Sequence, residues 1–180
     1  MKNKVVISLI WRYILIILLG LGNLWVFYTL FKPLTVGLTA TILSIFSQTS
    51  MLSGKILFDG ILIEIIPACV AGSAYYLLTI LLFSTPNIKL ARRGLILVST
   101  FLAFFIFNVL RLVILALINK SIYFETIHLI FWYALSTLFV VIIWVLSVKY
   151  FKIKDTPIYT DVKTLLKLSK KPSKKPKKGK

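Results

Sequence analysis

The chain contains one cysteine, one histidine and five acidic residues among 180. Each scarcity removes a class of chemistry. A single thiol, Cys69, allows neither an intramolecular disulfide nor a cysteine metal cluster. One histidine, His128, together with one cysteine supplies neither the paired axial ligands of a membrane haem nor a full zinc shell, so no cofactor and no metal are expected. Of the carboxylates, Asp59, Glu64 and Glu125 fall near one prospective membrane face, a poor provision for a two-carboxylate hydrolase. No glycine-rich phosphate loop is present.

Apolar residues are abundant instead. They make up 59% of the chain, aromatics 14%, and the mean hydropathy of +0.94 lies outside the range of soluble domains. The fold class this predicts is all-α: a polytopic membrane helix bundle of about four to five transmembrane helices, with a short extracytoplasmic hairpin before the cysteine helix. Crossing the hydrocarbon layer takes about 20 apolar residues per helix. Residues 5–31 read as the first span, with Lys2 and Lys4 ahead of it, Arg12 snorkelling back to that basic side and Pro33 ending it. This first run is long and lacks a small-residue cleavage site, so a cleaved signal peptide is not expected.

Residues 34–50, "LTVGLTATILSIFSQTS", are apolar but studded with Thr, Ser and Gln, and read either as a short tilted or re-entrant helix or as a complete crossing. In "KILFDGILIEII" the Asp59-Gly60 pair between two apolar runs predicts a two-residue hairpin leading to Pro67. Further spans are expected at 68–83, 94–118 and 127 to about 148. A basic loop with Lys89, Arg92 and Arg93 separates the first two of these, and "NKSIYFET" the last two.

Charge sets the expected orientation. The net charge is +17, and residues 149–180 hold twelve lysines against two aspartates. The division predicted is a transmembrane catalytic domain, 1–148, and a basic, disordered cytoplasmic tail, 149–180. No aromatic residues interleave the final "KLSKKPSKKPKKGK", so no nucleic-acid partner is expected. With the tail and the basic loop inside, the protein is a multi-pass cell-membrane protein. The start of the second span, the end of the third and the start of the fourth then meet at the outer face. They carry Cys69, Arg111 and His128.

Arg111 sits about 10 Å below the end of its helix at 1.5 Å per residue. A charge at that depth costs at least about 2.5 kcal/mol unless it faces a wet, protein-lined cavity. Asn108, three residues earlier, shares its helix face. Each residue also has a plain reading: Arg111 as a snorkelling or packing charge, His128 as an interface anchor beside Phe131, Trp132 and Tyr133, and Cys69 as a small hydrophobe. At one membrane level they compose something more specific. Cys69 would be the nucleophile, His128 the base that takes its proton and later protonates the leaving amine, and Arg111 the stabiliser of the oxyanion.

A hairpin-like stretch leading into "PACVAGS", "FNVLRL" with Asn108 and Arg111, and His128 opening the last span resemble the exosortase and archaeosortase family over roughly residues 55–145. The chain resembles a compact archaeal-type member. Many members have a glycine two residues after the cysteine, where this chain has Ala71. The resemblance implies that Cys69, Arg111 and His128 are catalytic, with Asn108 supporting the arginine. It implies a membrane cysteine transpeptidase or protease whose substrates are secreted proteins ending in a short motif, a membrane helix and a basic cluster. For the archaeal branch it also implies exchange of the peptide anchor for a lipid, so the acceptors left open are a membrane lipid, an amine or water. The competing expectation is a non-enzymatic insertion or assembly factor, with Arg111 lining a hydrophilic groove and the lysine tail touching ribosome or lipid. A transporter subunit is a weaker third reading, because no internal repeat is visible.

Overall fold

Residues 2–52, 54–131 and 136–169 are described by a computed structural model. The first apolar run does not form one helix. It gives α1 (Lys2–Leu21) and α2 (Trp25–Leu43), because Gly22 and Asn23 at the break are poor helix formers and Asn23 and Leu24 both take left-handed backbone. Pro33, expected to end the first span, lies inside α2. An apolar membrane helix tolerates such a proline when its neighbours satisfy the freed backbone groups.

The first ten residues of the segment read as re-entrant, 34–43, are therefore the end of α2, and its last two, Thr49 and Ser50, open a sheet. Strands β1 (Thr49–Leu52), β2 (Lys55–Phe58) and β3 (Ile61–Ile63) pair antiparallel in that order, with Thr49 opposite Phe58 and Phe58 opposite Ile61. The predicted hairpin is present at β2 and β3. Asp59 and Gly60 both have positive φ, +48° and +78°, as the tight two-residue turn requires. The third strand was not anticipated.

Five helices follow: α3 (Pro67–Val70), α4 (Gly72–Phe83), α5 (Leu90–Leu117), α6 (Phe124–Ile130) and α7 (Ser136–Tyr150), before a final α8 (Tyr159–Ser169). Two helices, α2 and α5, are long and apolar enough to cross a membrane, while 6–21, 72–83 and 137–150 are apolar but shorter. Among the described residues two of the expected four to five spans thus have full spanning length in one helix, while the first apolar run is split at 22–24 and the cysteine helix at Ala71. Part of the expected last span, 132–135, lies outside the described residues.

The helices pack around Tyr75 of α4. Its ring stacks on Phe31 at 3.8 Å and meets Phe104 and Phe101 edge-on at 5.0 and 5.3 Å. The opposite faces of the helices are apolar too. Trp11, Leu18, Trp25, Val98, Leu102 and Leu146 are all more than half exposed, a surface suited to hydrocarbon rather than water.

The tail also departs from expectation. Residues 149–169 are ordered as the end of α7, a turn and α8, and Asp161 of α8 is buried. Arg12 does not snorkel: its guanidinium donates to Asp161 Oδ1 at 2.7 Å and to the Phe83 carbonyl at 3.0 Å. Arg93, also buried, donates to the carbonyls of Leu82 and Thr85, and the Ile158 amide donates to the Ser84 carbonyl. A salt bridge satisfied at both ends lets a short polar helix dock where lysine count alone predicted a free chain. Residues 170–180 lie outside the described residues.

Candidate active site

Local sequence decides how Cys69 is presented. Ile66 is extended and Pro67 takes the first helical position, where a missing N–H costs nothing, so α3 begins two residues before the thiol. Ala71 then adopts left-handed backbone, φ +58° and ψ +46°, and separates α3 from α4. That conformation favours glycine.

Such a break takes the carbonyls at the end of α3 out of a continuous helical ladder, and buried carbonyls need donors. They find them on α5. Asn108 Nδ2 donates to the carbonyl of Cys69 at 3.0 Å and to that of Val70 at 3.4 Å, and Arg111 Nη2 donates to the Cys69 carbonyl at 3.2 Å. Asn108 is 3% exposed and Arg111 8%. The helix pair three residues apart therefore grips the backbone of the cysteine itself.

A cavity of about 440 Å³ opens over this junction, and Cys69, Arg111 and His128 all line it. The one cysteine, the one histidine and Arg111 reach one space, from α3, α6 and α5. His128 stacks on Phe124, one turn earlier on α6, with ring centroids 5.5 Å apart. Tyr28 of α2 and Thr137 of α7, also on the wall, were not singled out from sequence, and Glu64 after β3, read only as a carboxylate near one face, lines it too. Gly72 was the available signal for Tyr28. A Cβ at Gly72 would stand 2.8 Å from two ring carbons of Tyr28, so only glycine lets that ring cover the break.

Lys55 sits 2.7 Å from Glu64. Its hydrogen bond and charge hold the Glu64 carboxyl below the usual carboxylate range, so the rim carries an ionised acid at neutral pH. Among the described residues no three His, Cys, Asp or Glu side chains gather as a metal set.

No family model, no curated protein and no solved structure matches this chain. What the site does must therefore be argued from its own atoms. These offer a thiol on a short, proline-started helix, a histidine facing the same space, and a guanidinium within hydrogen-bonding distance of the cysteine's own carbonyl. That inventory suits covalent acyl transfer by sulfur.

The site and the tail occupy opposite ends of α5. Arg93, beside the docked tail, and Arg111 are separated by about 27 Å of helix at 1.5 Å per residue, close to the roughly 30 Å of a hydrocarbon layer.

Proposed function

We propose that the chain is a multi-pass membrane cysteine peptidase or transpeptidase, similar to exosortases and archaeosortases, acting on the membrane face opposite its lysine-rich tail. The observation that carries this reading is the convergence of Cys69, Arg111 and His128 on one cavity. Cys69 Sγ, its proton passed to His128, attacks the scissile carbonyl of the substrate. A C–S bond forms, and the carbonyl π electrons move to oxygen. Collapse of that intermediate expels the amine, which takes the proton from His128, and leaves a thioester. Water or an acceptor hydroxyl then attacks the thioester, returning the thiol. The polar head of a membrane lipid is one such acceptor.

Arg111 contributes a permanent charge beside the reacting sulfur and, with Asn108, fixes the nucleophile's backbone. Both residues emerge from the substrate-facing end of α5. Substrates of this class are secreted proteins with a C-terminal motif, a membrane helix and a basic cluster. The helix would lie against the exposed apolar faces of the bundle, and the basic cluster would remain on the tail side.

The test uses right-side-out and inside-out vesicles and a membrane-impermeant thiol reagent. Labelling of Cys69 from the outside only, slowed in His128→Ala and Arg111→Ala, supports an activated external thiolate. An unreactive thiol, or one reached only from the cytoplasm, would sink the proposal and leave the non-enzymatic insertion or assembly reading in its place.

A further inference from the structure

The tail end of the bundle carries positive charge that no carboxylate balances. A cleft of about 240 Å³ lies between the loop after α4, the first turn of α5 and the turn after α7, and its polar wall is Asn87, Arg92, Lys152, Lys154 and Asp155. The three cations are exposed, so a ligand can reach them. Among the described residues none of them forms an ion pair. Asp155 accepts instead from Asn87 Nδ2 at 3.1 Å, and Asp161 is taken by Arg12. The Arg92 guanidinium donates to the Phe151 carbonyl, which holds it at the rim, and the first turn of α5 adds no acidic residue. A cleft lined by one sign of charge concentrates counter-ions, so this one calls for an anion.

The surroundings say which anion. Leu90 and Tyr150, close to the cleft residues in the chain, are both more than 80% exposed, as suits side chains at a membrane interface rather than in water. In α8, Tyr159, Val162 and Leu165 are exposed and, three residues apart, share one helix face. Lys163 and Lys167 form the next face, and Asp161 points the other way, to Arg12. A helix with an apolar strip beside a lysine strip lies in the plane of a membrane. The level agrees. Exposed Ile7 and Trp11 lie between Arg12 and the start of α1, so apolar surface continues beyond the point where α8 is anchored.

We infer that the tail end of the bundle binds anionic phospholipid: the headgroup phosphate sits between Arg92, Lys152 and Lys154, and α8 lies in the membrane plane with Tyr159, Val162 and Leu165 among the acyl chains. The inference rests on the multi-pass reading of the chain and not on the chemistry of Cys69. A phosphodiester accepts charge-assisted hydrogen bonds from a guanidinium and from ammonium groups. A zwitterionic headgroup offers the same phosphate but brings its own cation to a cleft that already holds three, so lipids of net negative charge are preferred. Held at this end, α5 is fixed in depth, which sets the level of Arg111 near its other end.

The test uses the full chain with Cys69→Ser, reconstituted in phosphatidylcholine vesicles and labelled with bimane at one introduced cysteine, which nitroxide-bearing lipids quench on contact. A cation beside an anionic lipid is worth about fivefold in binding. A label at Tyr150→Cys should therefore show at least fivefold preference for nitroxide phosphatidylglycerol over nitroxide phosphatidylcholine. Lys152→Gln with Lys154→Gln, which spares the Arg92 bond to Phe151, should bring that ratio toward one. Equal quenching by the two lipids with the native cleft would overturn the headgroup site. So would a preference that survives the double variant, whose source would then be the tail, as removal of residues 170–180 would show. A preference abolished by inorganic phosphate but not by chloride at the same ionic strength would mean that the cleft holds the free ion, which also overturns it. A label at Val162→Cys should be quenched from within the bilayer, and one reached only by aqueous iodide would overturn the seat of α8. A label at Leu102→Cys, on the exposed face of α5, reports spanning separately. If lipids with the nitroxide at the chain end leave it unquenched, the membrane reading itself fails.

Discussion

Asn108→Leu keeps the volume of the side chain and removes its two donors. In the native structure Nδ2 serves the carbonyls of Cys69 and Val70 from a position 3% exposed to solvent. Leaving a buried acceptor unpaired costs about 1–3 kcal/mol. The lower half of that range is expected, because Arg111 Nη2 remains on the Cys69 carbonyl and only Val70 loses its donor outright. Removing Arg111 as well, as Arg111→Met, strips both donors from the Cys69 carbonyl. The double variant should therefore lose more than the sum of the single variants, with a coupling of about 0.5–3 kcal/mol. The assay is reversible unfolding in detergent micelles followed by circular dichroism, where each 1.4 kcal/mol reads as about a tenfold change in the unfolding equilibrium constant. Single-variant costs that add to the double within about 0.5 kcal/mol would refute the shared grip on the cysteine backbone.

Other perturbations separate the remaining parts of the argument. Ala71→Gly should stabilise the protein by up to about 1 kcal/mol, since the left-handed backbone at this position costs a Cβ-bearing residue about 1–2 kcal/mol and glycine returns part of that as chain entropy. A lowered melting temperature would contradict it. Gly72→Ala should cost about 1–3 kcal/mol by driving a Cβ into Tyr28, and Tyr28→Leu in the same chain should recover much of the loss. Failure of that rescue would move the strain elsewhere. Asp161→Asn leaves the Arg12 guanidinium without its carboxylate and should free α8, seen as faster tryptic cleavage at Lys163 and Lys167. Unchanged digestion would mean that apolar contacts, rather than the ion pair, hold the tail. Cys69→Ser should abolish processing, because a serine hydroxyl is far harder to ionise than a thiol. Full turnover by that variant would remove the covalent step.

Much of the candidate site was readable because its residues are chemically rare. Cys69 and His128 are each the one residue of their type, and the cost of burying a guanidinium deep in the run 94–118 forces Arg111 toward other polar atoms, so their convergence was expected from composition and charge asymmetry. The Asp59-Gly60 turn was readable for a local reason, as only such residues accept two successive positive φ angles. Arg111's attachment to the Cys69 carbonyl was not readable. It depends on a helix break at Ala71, and nothing about alanine announces a left-handed conformation. Tyr28 on the cavity wall escaped for a similar reason, since a hydroxyl on an apolar helix declares no partner until neighbouring helices are placed.

The sequence by itself determined an apolar, helix-dominated chain with charge gathered at one end and three singular polar residues that had to escape hydrocarbon. Those outcomes follow from transfer free energies, which depend on residue type and not on neighbours. Tertiary structure decided where helices stop, as in Pro33 held within α2, and it docked the tail through Arg12 and Asp161, a pair 149 residues apart. It also fixed which backbone carbonyls Asn108 and Arg111 satisfy. Those outcomes depend on which donors and acceptors packing brings within 3 Å of each other, a quantity that no local pattern encodes.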